Sequence, residues 1–556
     1  MRIFKKNNDG IKDAAMSKIK AAKAAYARYK MDECLKQIEK ALNILKSGDG
    51  SDYEIGAVII GSLDIKYNAL EWLGRFAAAE GIAFEMLKTA ECHQNPEMRV
   101  FVYNKIGYSL NLSEKYDQAI GWSLKSLEIT KSLNDEYGLS ICYNNLGISA
   151  DGMGKYDEAV DWYLKSVEIS RKLNKTSNLA GQYNNLGDLK RLMGNYEEAL
   201  DWHLKSLEIY TRLNNRTGLA SCYNCLGILK EAMGKSEEAI DWYLKSLEIR
   251  TGLNDRSGMA MCYNNLGILK KETGNYEEAI DYYLKSFEIS QSLNDHASMA
   301  RYYLNFGNVK RSIGKYRESI DLYIKSLEIY TDLNSTVDIA RCYNNVGIAK
   351  ELMGNFEEAL EWSKKSFEIY SSFNDSLLLG WCYDTLANIM KSIGEYDKAL
   401  EWCQKSLDIY LNINNREGLA TCYYNLGNTT AGIGKYDEAV EWHLKSIEIF
   451  KSLNNGIALA DCYKSLGIVY TSSGKFNEAI DLYFQGLELL KNTDEIRIKG
   501  LLYASIAENY SKMNNLNLAL AYYEKAKALF ENIDNLQHLA NINERIEQLK
   551  SNFIKK

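Results

Sequence analysis

The histidines of this chain could in principle bind a metal or carry a proton, but their spacing argues against both roles. No second histidine or acid stands at ligand spacing from any of them, and a zinc site needs several such groups together. His203 and His443 occupy one repeated position at which Tyr163 and Tyr283 also occur, so we interpret them as packing or surface residues. The five histidines are His93, His203, His296, His443 and His538.

Most of the 11 cysteines recur at one fixed position, one residue before a tyrosine. Neighbouring packed helices are about 8–10 Å apart, whereas a disulfide needs Cα atoms within about 7 Å. The series therefore predicts small buried thiols in a reducing compartment. Cys222 and Cys225 form a lone C-x-x-C pair, which without a second pair does not predict zinc. The repeated cysteines are Cys142, Cys222, Cys262, Cys342, Cys382, Cys422 and Cys462.

One segment, Gly234-Lys235-Ser236, is similar to the end of a phosphate-binding loop. The glycine that such a loop needs five residues earlier is Leu229, and no strand is predicted before it. We interpret Gly234 as a turn glycine. The sequence shows no nucleophile with its base, no paired acids and no cofactor loop, so it predicts a protein that is not an enzyme and needs neither metal nor cofactor.

The elements that carry these residues repeat every 40 residues, from about residue 100 to residue 530. In one unit, Tyr143, Leu146 and Gly147 lie at helical spacing and predict one face of a first helix. Gly154 follows, where a helix end favours a residue that adopts positive φ. Ala159 then falls on a second helix, and small residues there allow close helix approach. The repeated tyrosines are Tyr103, Tyr143, Tyr183, Tyr223, Tyr263, Tyr303, Tyr343, Tyr383, Tyr423, Tyr463 and Tyr503.

This pattern of an aromatic residue, Leu-Gly, Gly-Lys-aromatic and Ala resembles the tetratricopeptide repeat (TPR). The 40-residue unit with a Leu-Asn-Asp turn is similar to the repeat arrays of LGN/Pins-type scaffolds and kinesin light chains. The resemblance implies an all-α fold, a right-handed superhelical α-solenoid of about 13 antiparallel helix pairs with a C-terminal capping helix. It also implies a concave groove lined by the first helices.

The ends of the chain are less regular than its middle. We expect residues 1–11 to be a flexible N-terminus and residues 12–100 to form two degenerate repeats. Residues 101–535 are expected to form eleven 40-residue repeats, and residues 536–556 a capping helix and tail. Atypical terminal repeats are normal in solenoids, because their outer faces meet water.

Asparagines recur at two adjacent positions of the first helix, which we number 5 and 6 by taking the Leu-Gly pair as positions 7 and 8. Asparagine is a mediocre helix former, so its recurrence needs a reason. Its amide both donates and accepts hydrogen bonds, as binding an extended peptide backbone requires. The alternative is that these amides fix the stacking of neighbouring helices; of the two positions, position 6 is the better functional candidate. The candidate groove residues are Asn144, Asn145, Asn184, Asn185, Asn224, Asn264, Asn265, Asn305, Asn344, Asn345 and Asn425.

Charged residues between 270 and 392 add a mildly basic centre to this predicted groove. An excess of cations there would favour an acidic peptide. The acids set against them are Glu272, Glu351 and Asp384. The cations are Lys271, Arg301, Arg311, Arg341 and Lys391.

Two further lysine series are interpreted as structural. One, at the end of the first helix, is expected to reach towards acids of the second helices. The other stands four residues after an acid on the second helix, as in Asp161 and Lys165, and predicts a solvated face. The first series is Lys190, Lys230, Lys270, Lys310 and Lys350.

The whole-chain composition limits the remaining functions. A formal net charge of −7 argues against a general nucleic-acid partner, and no stretch approaches the length of a membrane span. No secretory signal is evident, so we predict a cytoplasmic protein. The leading hypothesis is a scaffold that binds an extended peptide of a partner protein, an acidic one being favoured. The alternatives are a regulator whose superhelix changes pitch on binding a peptide, and an architectural rod; self-association is compatible with all three.

Overall fold

Helices are the only regular elements among the residues that this computed structural model describes, which are 2–47, 52–93, 95–373, 376–531 and 536–554. The chain is an all-α solenoid, as the repeat pattern predicts. The helices are α1 Arg2–Ala27, α2 Met31–Leu45, α3 Tyr53–Trp72, α4 Phe76–His93, α5 Pro96–Leu112, α6 Tyr116–Leu133, α7 Glu136–Gly152, α8 Tyr156–Lys172, α9 Thr176–Leu192, α10 Tyr196–Arg212, α11 Arg216–Ala232, α12 Ser236–Gly252, α13 Arg256–Glu272, α14 Tyr276–Leu293, α15 His296–Ser312, α16 Tyr316–Asp332, α17 Thr336–Leu352, α18 Phe356–Phe373, α19 Ser376–Ile393, α20 Tyr396–Asn412, α21 Arg416–Ile433, α22 Tyr436–Ser452, α23 Gly456–Ser472, α24 Phe476–Leu489, α25 Ile496–Lys512, α26 Leu516–Phe530 and α27 Leu536–Ile554.

Each odd-numbered helix from α1 to α9 and from α15 to α25 packs against the even-numbered helix that follows it, and we call the odd-numbered helices the first helices and the even-numbered ones the second helices of the repeats. The chain forms two compact units. One comprises the described residues of Met1–Leu229, Asp241–Cys262 and Ser292–Asp295. The other comprises those of Lys230–Ile240, Tyr263–Gln291 and His296–Lys556.

The turns of the repeat use residues that tolerate a left-handed backbone. Gly154 ends the first helix α7 with φ +73°, as its position in the sequence predicts. At the end of α6, Asn134 adopts φ +51° and closes that helix. The next residue, Asp135, caps α7 by accepting a hydrogen bond of 3.0 Å from the Gly138 N–H. One Asn-Asp pair thus ends one repeat and starts the next.

Close contact between the two helices of a repeat explains the glycine at position 8. A Cβ added to Gly147 would lie 2.7 Å from the Tyr163 ring, closer than packed carbon atoms come. Ala159 is completely buried at the same contact. Tyr143 stacks on Trp162, with ring centroids 5.5 Å apart. The core is therefore a series of similar aromatic layers.

At the N-terminus, α1 begins at Arg2 and continues unbroken to Ala27. The flexibility of residues 1–11 stays a prediction. Once a helix is nucleated, each added residue gains a hydrogen bond at little cost. The nucleus is the part of α1 from Ile19 to Ala25, whose side chains pack in the core. At the other end, Ile542 and Ile546 of α27 pack on Phe530 of the last repeat.

Within the second unit, one contact joins segments far apart in the sequence. The Asp494 N–H donates to the Gly274 carbonyl at 2.7 Å, and the Glu277 N–H donates to Asp494 Oδ2 at 3.2 Å. The Tyr276 hydroxyl donates to the carboxylate of Glu495, which is 2 % exposed. We call this set of bonds the 276–495 contact. It holds the start of α14 against the start of α25.

Across the described ranges, the model contains no helix that is both long and apolar enough to cross a lipid bilayer.

Candidate functional site

The predicted groove residues lie along one side of the first helices, which we call the first-helix face. Two pairs of their amides contact one another across repeat boundaries. Asn185 Nδ2 donates to Asn144 Oδ1 at 3.1 Å, and Asn305 Nδ2 donates to Asn264 Oδ1 at 2.8 Å. Each bond joins position 6 of one repeat to position 5 of the repeat before it. These are the bonds that the stacking alternative predicts, and each uses only one of the two amide N–H groups.

Other members of the asparagine series are buried between repeats. Asn145 is 2 % exposed, and its Nδ2 donates to the Asn104 carbonyl at 3.0 Å. Asn425, equally buried, donates to Asp384 Oδ1 at 3.3 Å. Asn184 Nδ2 lies 3.3 Å from the Cys222 thiol of the next repeat. Asn224 and Asn345 are also buried, and Asn265 is half-buried.

Asn344 is the exception in this series. It is half-buried at position 5 of α17, and its Oδ1 atom is buried without a hydrogen-bond partner among the described residues. A buried amide oxygen that makes no hydrogen bond costs about 1–3 kcal/mol, because it has lost its water. This oxygen is therefore an acceptor whose hydrogen bond is not made within the described residues.

The predicted cations lie on the first helices from α13 to α19. Arg341 pairs with Asp338 at 2.7 Å, and its side chain is 38 % exposed. Lys391 Nζ donates to Asn388 Oδ1 at 3.0 Å, and burial lowers the pKa of this lysine. Lys271 and Arg311 are half-buried and Arg301 is exposed.

One acid that the sequence places in the groove faces the core instead. Asp384 is 7 % exposed and accepts hydrogen bonds of 2.8 Å from Ser406 Oγ and the Tyr410 hydroxyl, both on the second helix α20. Burial raises the pKa of Asp384 to about 6, although these hydrogen bonds act in the opposite direction. The interpretation of Asp384 as a groove acid was wrong, because two second-helix hydroxyls offer it better partners than the face does. The other two acids remain half-buried or exposed, and Glu351 accepts 2.7 Å from Ser392.

Sequence reasoning missed a charged group further along the same face. Lys464 on α23 pairs with Asp461, which also accepts a hydrogen bond of 2.9 Å from the Tyr424 hydroxyl. Burial alone would raise the pKa of Asp461, but Lys464 and Arg497 overcome it and lower the pKa to about 2. A signal was present, because Lys464 and Tyr424 stand at position 5, where earlier repeats carry asparagine.

The tetratricopeptide-repeat model matches most of the chain. Its matches cover residues 99–172, 179–252, 258–332, 338–412, 386–452 and 419–492, and a second model of the same repeat matches residues 502–532. The chain belongs to the tetratricopeptide-repeat family. Repeats of this family act as scaffolds for protein interactions, and this TPR chain is such a scaffold.

The solved structures that are similar to this TPR chain have low sequence identity to it. A Rap protein complexed with competence and sporulation factor has 18% identity and a TM-score of 0.48, with 67% of this chain and 99% of that chain covered. Yeast Tom70 has 13% identity and a TM-score of 0.37, with 82% and 97% covered. BtubC from P. vanneervenii has 22% identity and a TM-score of 0.35, with 39% and 92% covered. No curated protein sequence matches the chain.

The lysine series at the end of the first helices of the TPR array pairs with second-helix acids, as predicted. Each ammonium lies within ion-pair distance of a glutamate eight residues further on, and the hydrogen bond from Lys230 lowers the pKa of Glu238. The prediction that these lysines are structural is confirmed. The pairs are Lys190–Glu198 at 2.8 Å, Lys230–Glu238 at 2.8 Å, Lys270–Glu278 at 2.8 Å, Lys310–Glu318 at 2.6 Å and Lys350–Glu358 at 2.7 Å.

The second lysine series lies on tryptophan rings of the second helices. Lys165 Nζ is 4.3 Å from the Trp162 ring centroid, and Lys445 Nζ is 4.1 Å from that of Trp442. Lys205 also pairs with Asp201 at 2.5 Å. These exposed lysines therefore cover the edge of the aromatic layers as well as pairing with acids.

The repeated cysteines are completely buried thiols, as predicted. Cys222 contacts Ser206 Oγ at 3.1 Å, and Cys225 lies 3.4 Å from Asp188 Oδ2. His203 and His443 are also completely buried, and each packs against the position-8 glycine of its repeat. All four residues are therefore part of the packing between helices. No cluster of three metal-ligating side chains occurs within the described residues.

Proposed function

We propose that this TPR scaffold binds an extended, acidic segment of a partner protein along the first-helix face of α15, α17 and α19. The observation that carries the proposal is the buried Oδ1 of Asn344, which makes no hydrogen bond within the described residues. An extended peptide presents backbone N–H groups along its length, and one of them would satisfy this oxygen. Binding would then recover the free energy that the unpaired oxygen costs.

The charges near Asn344 favour an acidic segment. Arg301 and Arg341 lie at position 2 of neighbouring first helices, and Arg311 lies at position 12 of α15. Glu351 and Asp338, which pairs with Arg341, remain to oppose them, whereas Asp384 faces the core. Cations of this kind increase the rate of association with an acidic partner and exclude basic ones.

Lys391 gives the proposal a dependence on pH. Burial is the first cause of its lowered pKa, and the nearby Lys464 acts in the same direction. A ligand carboxylate would stabilise the ammonium and raise the pKa of Lys391 again. Binding of an acidic segment should therefore weaken as the pH rises through the pKa of unliganded Lys391.

The test is selection from a displayed library of random peptides on the full chain, followed by fluorescence anisotropy of the selected peptides. Acidic peptides should be enriched, and Arg301→Glu with Arg311→Glu should weaken their binding at least about tenfold, or about 1.4 kcal/mol. The matched control is Arg317→Glu with Lys325→Glu, the same change of charge at exposed positions of the second helix α16.

Asn344→Ala should also weaken binding, because it removes the acceptor without changing charge. Circular dichroism would first establish that each variant keeps its helices. Selection of peptides without acidic character, or equal binding by the α15 and α16 variants, would contradict the proposal.

A further inference from the structure

Leucines stand exposed in a row on the second helices of the first unit. Leu124, Leu164, Leu204 and Leu244 occupy the same position of four successive repeats, and their side chains are 48%, 44%, 46% and 42% exposed. We call them the leucine row. They lie on the opposite helices from the first-helix face, so they are separate from the proposed peptide site. Contiguous exposed apolar patches larger than a few hundred Å² are typical of surfaces that another molecule covers.

Each leucine of the row lies at the middle of its helix. α8 runs from Tyr156 to Lys172, so Leu164 has eight residues on either side, and Leu204 stands equally central in α10 (Tyr196–Arg212). A two-fold axis that runs along the row would therefore place each second helix antiparallel to its own copy. Leu164 would then meet the partner's Leu164, and Leu204 the partner's Leu204. Such a self-complementary surface is what a two-fold dimer requires.

The charges at the two ends of α6, α8 and α10 fit the same arrangement, whereas the basic residue in the last turn of α12, Arg250, is buried against Asp255. The first turn of α8 carries Asp157 and Glu158 and its last turn carries Arg171 and Lys172, all exposed. An antiparallel copy places the acidic first turn of one helix opposite the basic last turn of the other. A parallel copy would bring like charges together. The same distribution occurs in α10, with Glu197 and Glu198 first and Arg212 last, and in α6, with Asp117 first and Lys131 late.

The existing contacts of these charges allow the exchange. Lys172 pairs with Glu136 of its own chain, but the two side chains are 67% and 43% exposed. Surface pairs of this kind contribute little, so Lys172 can exchange Glu136 for an acid of a second copy. Lys165, which follows Leu164, lies on the Trp162 ring and leaves the leucine uncovered.

We propose that the leucine row is a homodimer interface, in which α6, α8, α10 and α12 pack antiparallel on the same helices of a second copy. A helix of 17 residues is about 25 Å long and, with its side chains, about 10 Å wide. Four of them present on the order of 1,000 Å², which is enough for a specific interface of about 800 Å² per partner. The same position carries exposed Leu284 in the next repeat and Lys364 and Gln404 in later ones, so the apolar series is interrupted there before it resumes at Leu444.

Sedimentation velocity of the full chain over a concentration series tests the apolar part of the interface. The wild type should change from monomer to dimer with concentration, and Leu164→Glu with Leu204→Glu should weaken dimerisation at least about tenfold. The control is Leu133→Glu with Leu213→Glu, two leucines that are 39% and 42% exposed at the ends of α6 and α10. A wild type that stays monomeric at every concentration, or a dimer insensitive to the change in the row, would overturn the proposal.

A charge exchange tests the antiparallel arrangement. One variant carries Arg171→Glu and Lys172→Glu, and the other carries Asp157→Lys and Glu158→Lys. Each variant alone would place like charges opposite one another and should dimerise weakly, whereas an equimolar mixture should form heterodimers. A mixture that associates no better than its components would overturn the antiparallel pairing.

Discussion

At the scale of single residues, one repeated position carries tyrosine in some repeats and histidine in others, and the difference has a consequence for stability. Tyr323 packs on Gly307 and donates its hydroxyl to Asn308 Oδ1 at 2.9 Å. His443 fills the same position against Gly427, but neither of its ring nitrogens has a hydrogen-bond partner in the described chain. Burial lowers the pKa of His443 to about 4.

This lowered pKa predicts that His443 contributes to acid unfolding. The folded state binds the proton more weakly than the unfolded state, whose histidine has its ordinary pKa near 6.5. The stability that this difference provides is complete above about pH 6.5 and is lost as the pH falls to about 4, a loss of about 3 kcal/mol. His443→Tyr should abolish this loss of stability. Asn308 accepts the hydrogen bond of Tyr323 in another repeat, and Asn428 stands at the same position in the repeat of His443. Denaturant unfolding of the two proteins between pH 7 and pH 4, a range that spans both pKa values, is the measurement.

The control for this prediction is His296→Tyr, because His296 is exposed. That variant should keep the wild-type dependence on pH. If His443→Tyr loses as much stability as the wild type on acidification, burial of His443 is not the cause.

At the scale of the helix, the left-handed asparagines between repeats decide where each second helix ends. Asn214 follows α10 with φ +49°, which costs an alanine about 1–2 kcal/mol and costs a glycine almost nothing. Asn214→Ala should therefore accelerate amide hydrogen exchange in the last turn of α10, and Asn214→Gly should not. The control is Asn195→Ala, because Asn195 has φ −87° and makes no capping hydrogen bond with its side chain. Equal exchange in the alanine and glycine variants at residue 214 would argue against backbone strain as the cause.

The helices and their turns could be predicted from the sequence because each depends on residues close together in the chain. Gly154 and the Asn134-Asp135 pair determine their turns through local backbone preferences. The hydrogen-bond partners of the groove asparagines depend on how the repeats stack. The sequence alone is compatible with two roles for these amides, peptide binding and the stacking of neighbouring helices. Asp384 could not be placed, because position 5 can turn towards either face and the hydroxyls of α20 decide the outcome.

At the scale of the whole molecule, the 276–495 contact within the second unit joins segments that no repeat pattern relates. The sequence shows only that residues 490–495 depart from the usual Leu-Asn-Asp turn. Glu495 caps α25 by accepting 3.1 Å from the Ile498 N–H and also accepts from Tyr276. One buried carboxylate thus connects the start of two helices.

Removing the tyrosine hydroxyl should loosen this connection. Tyr276→Phe leaves the buried Glu495 without one of its donors, which costs about 1–3 kcal/mol. We expect faster hydrogen exchange at residues 490–498, measured by mass spectrometry on the full chain. Tyr436→Phe is the control, because Tyr436 occupies the same repeat position and is 37% exposed. Unchanged exchange at residues 490–498 in Tyr276→Phe would show that the hydrogen bonds from Asp494 N–H to Gly274 and from Glu277 N–H to the Asp494 carboxylate suffice.

The buried cysteines allow the unfolding of the repeat array to be followed by thiol modification. Burial raises the pKa of Cys342, Cys382 and Cys462 to about 12, and an alkylating reagent attacks the thiolate, so native repeats resist modification. Cys92, by contrast, is exposed. A maleimide would mark Cys92 at once and each inner thiol only when its own repeat opens. Most repeats thus carry a thiol that reports their opening, and peptide mapping of the modified cysteines would give the order in which those repeats unfold.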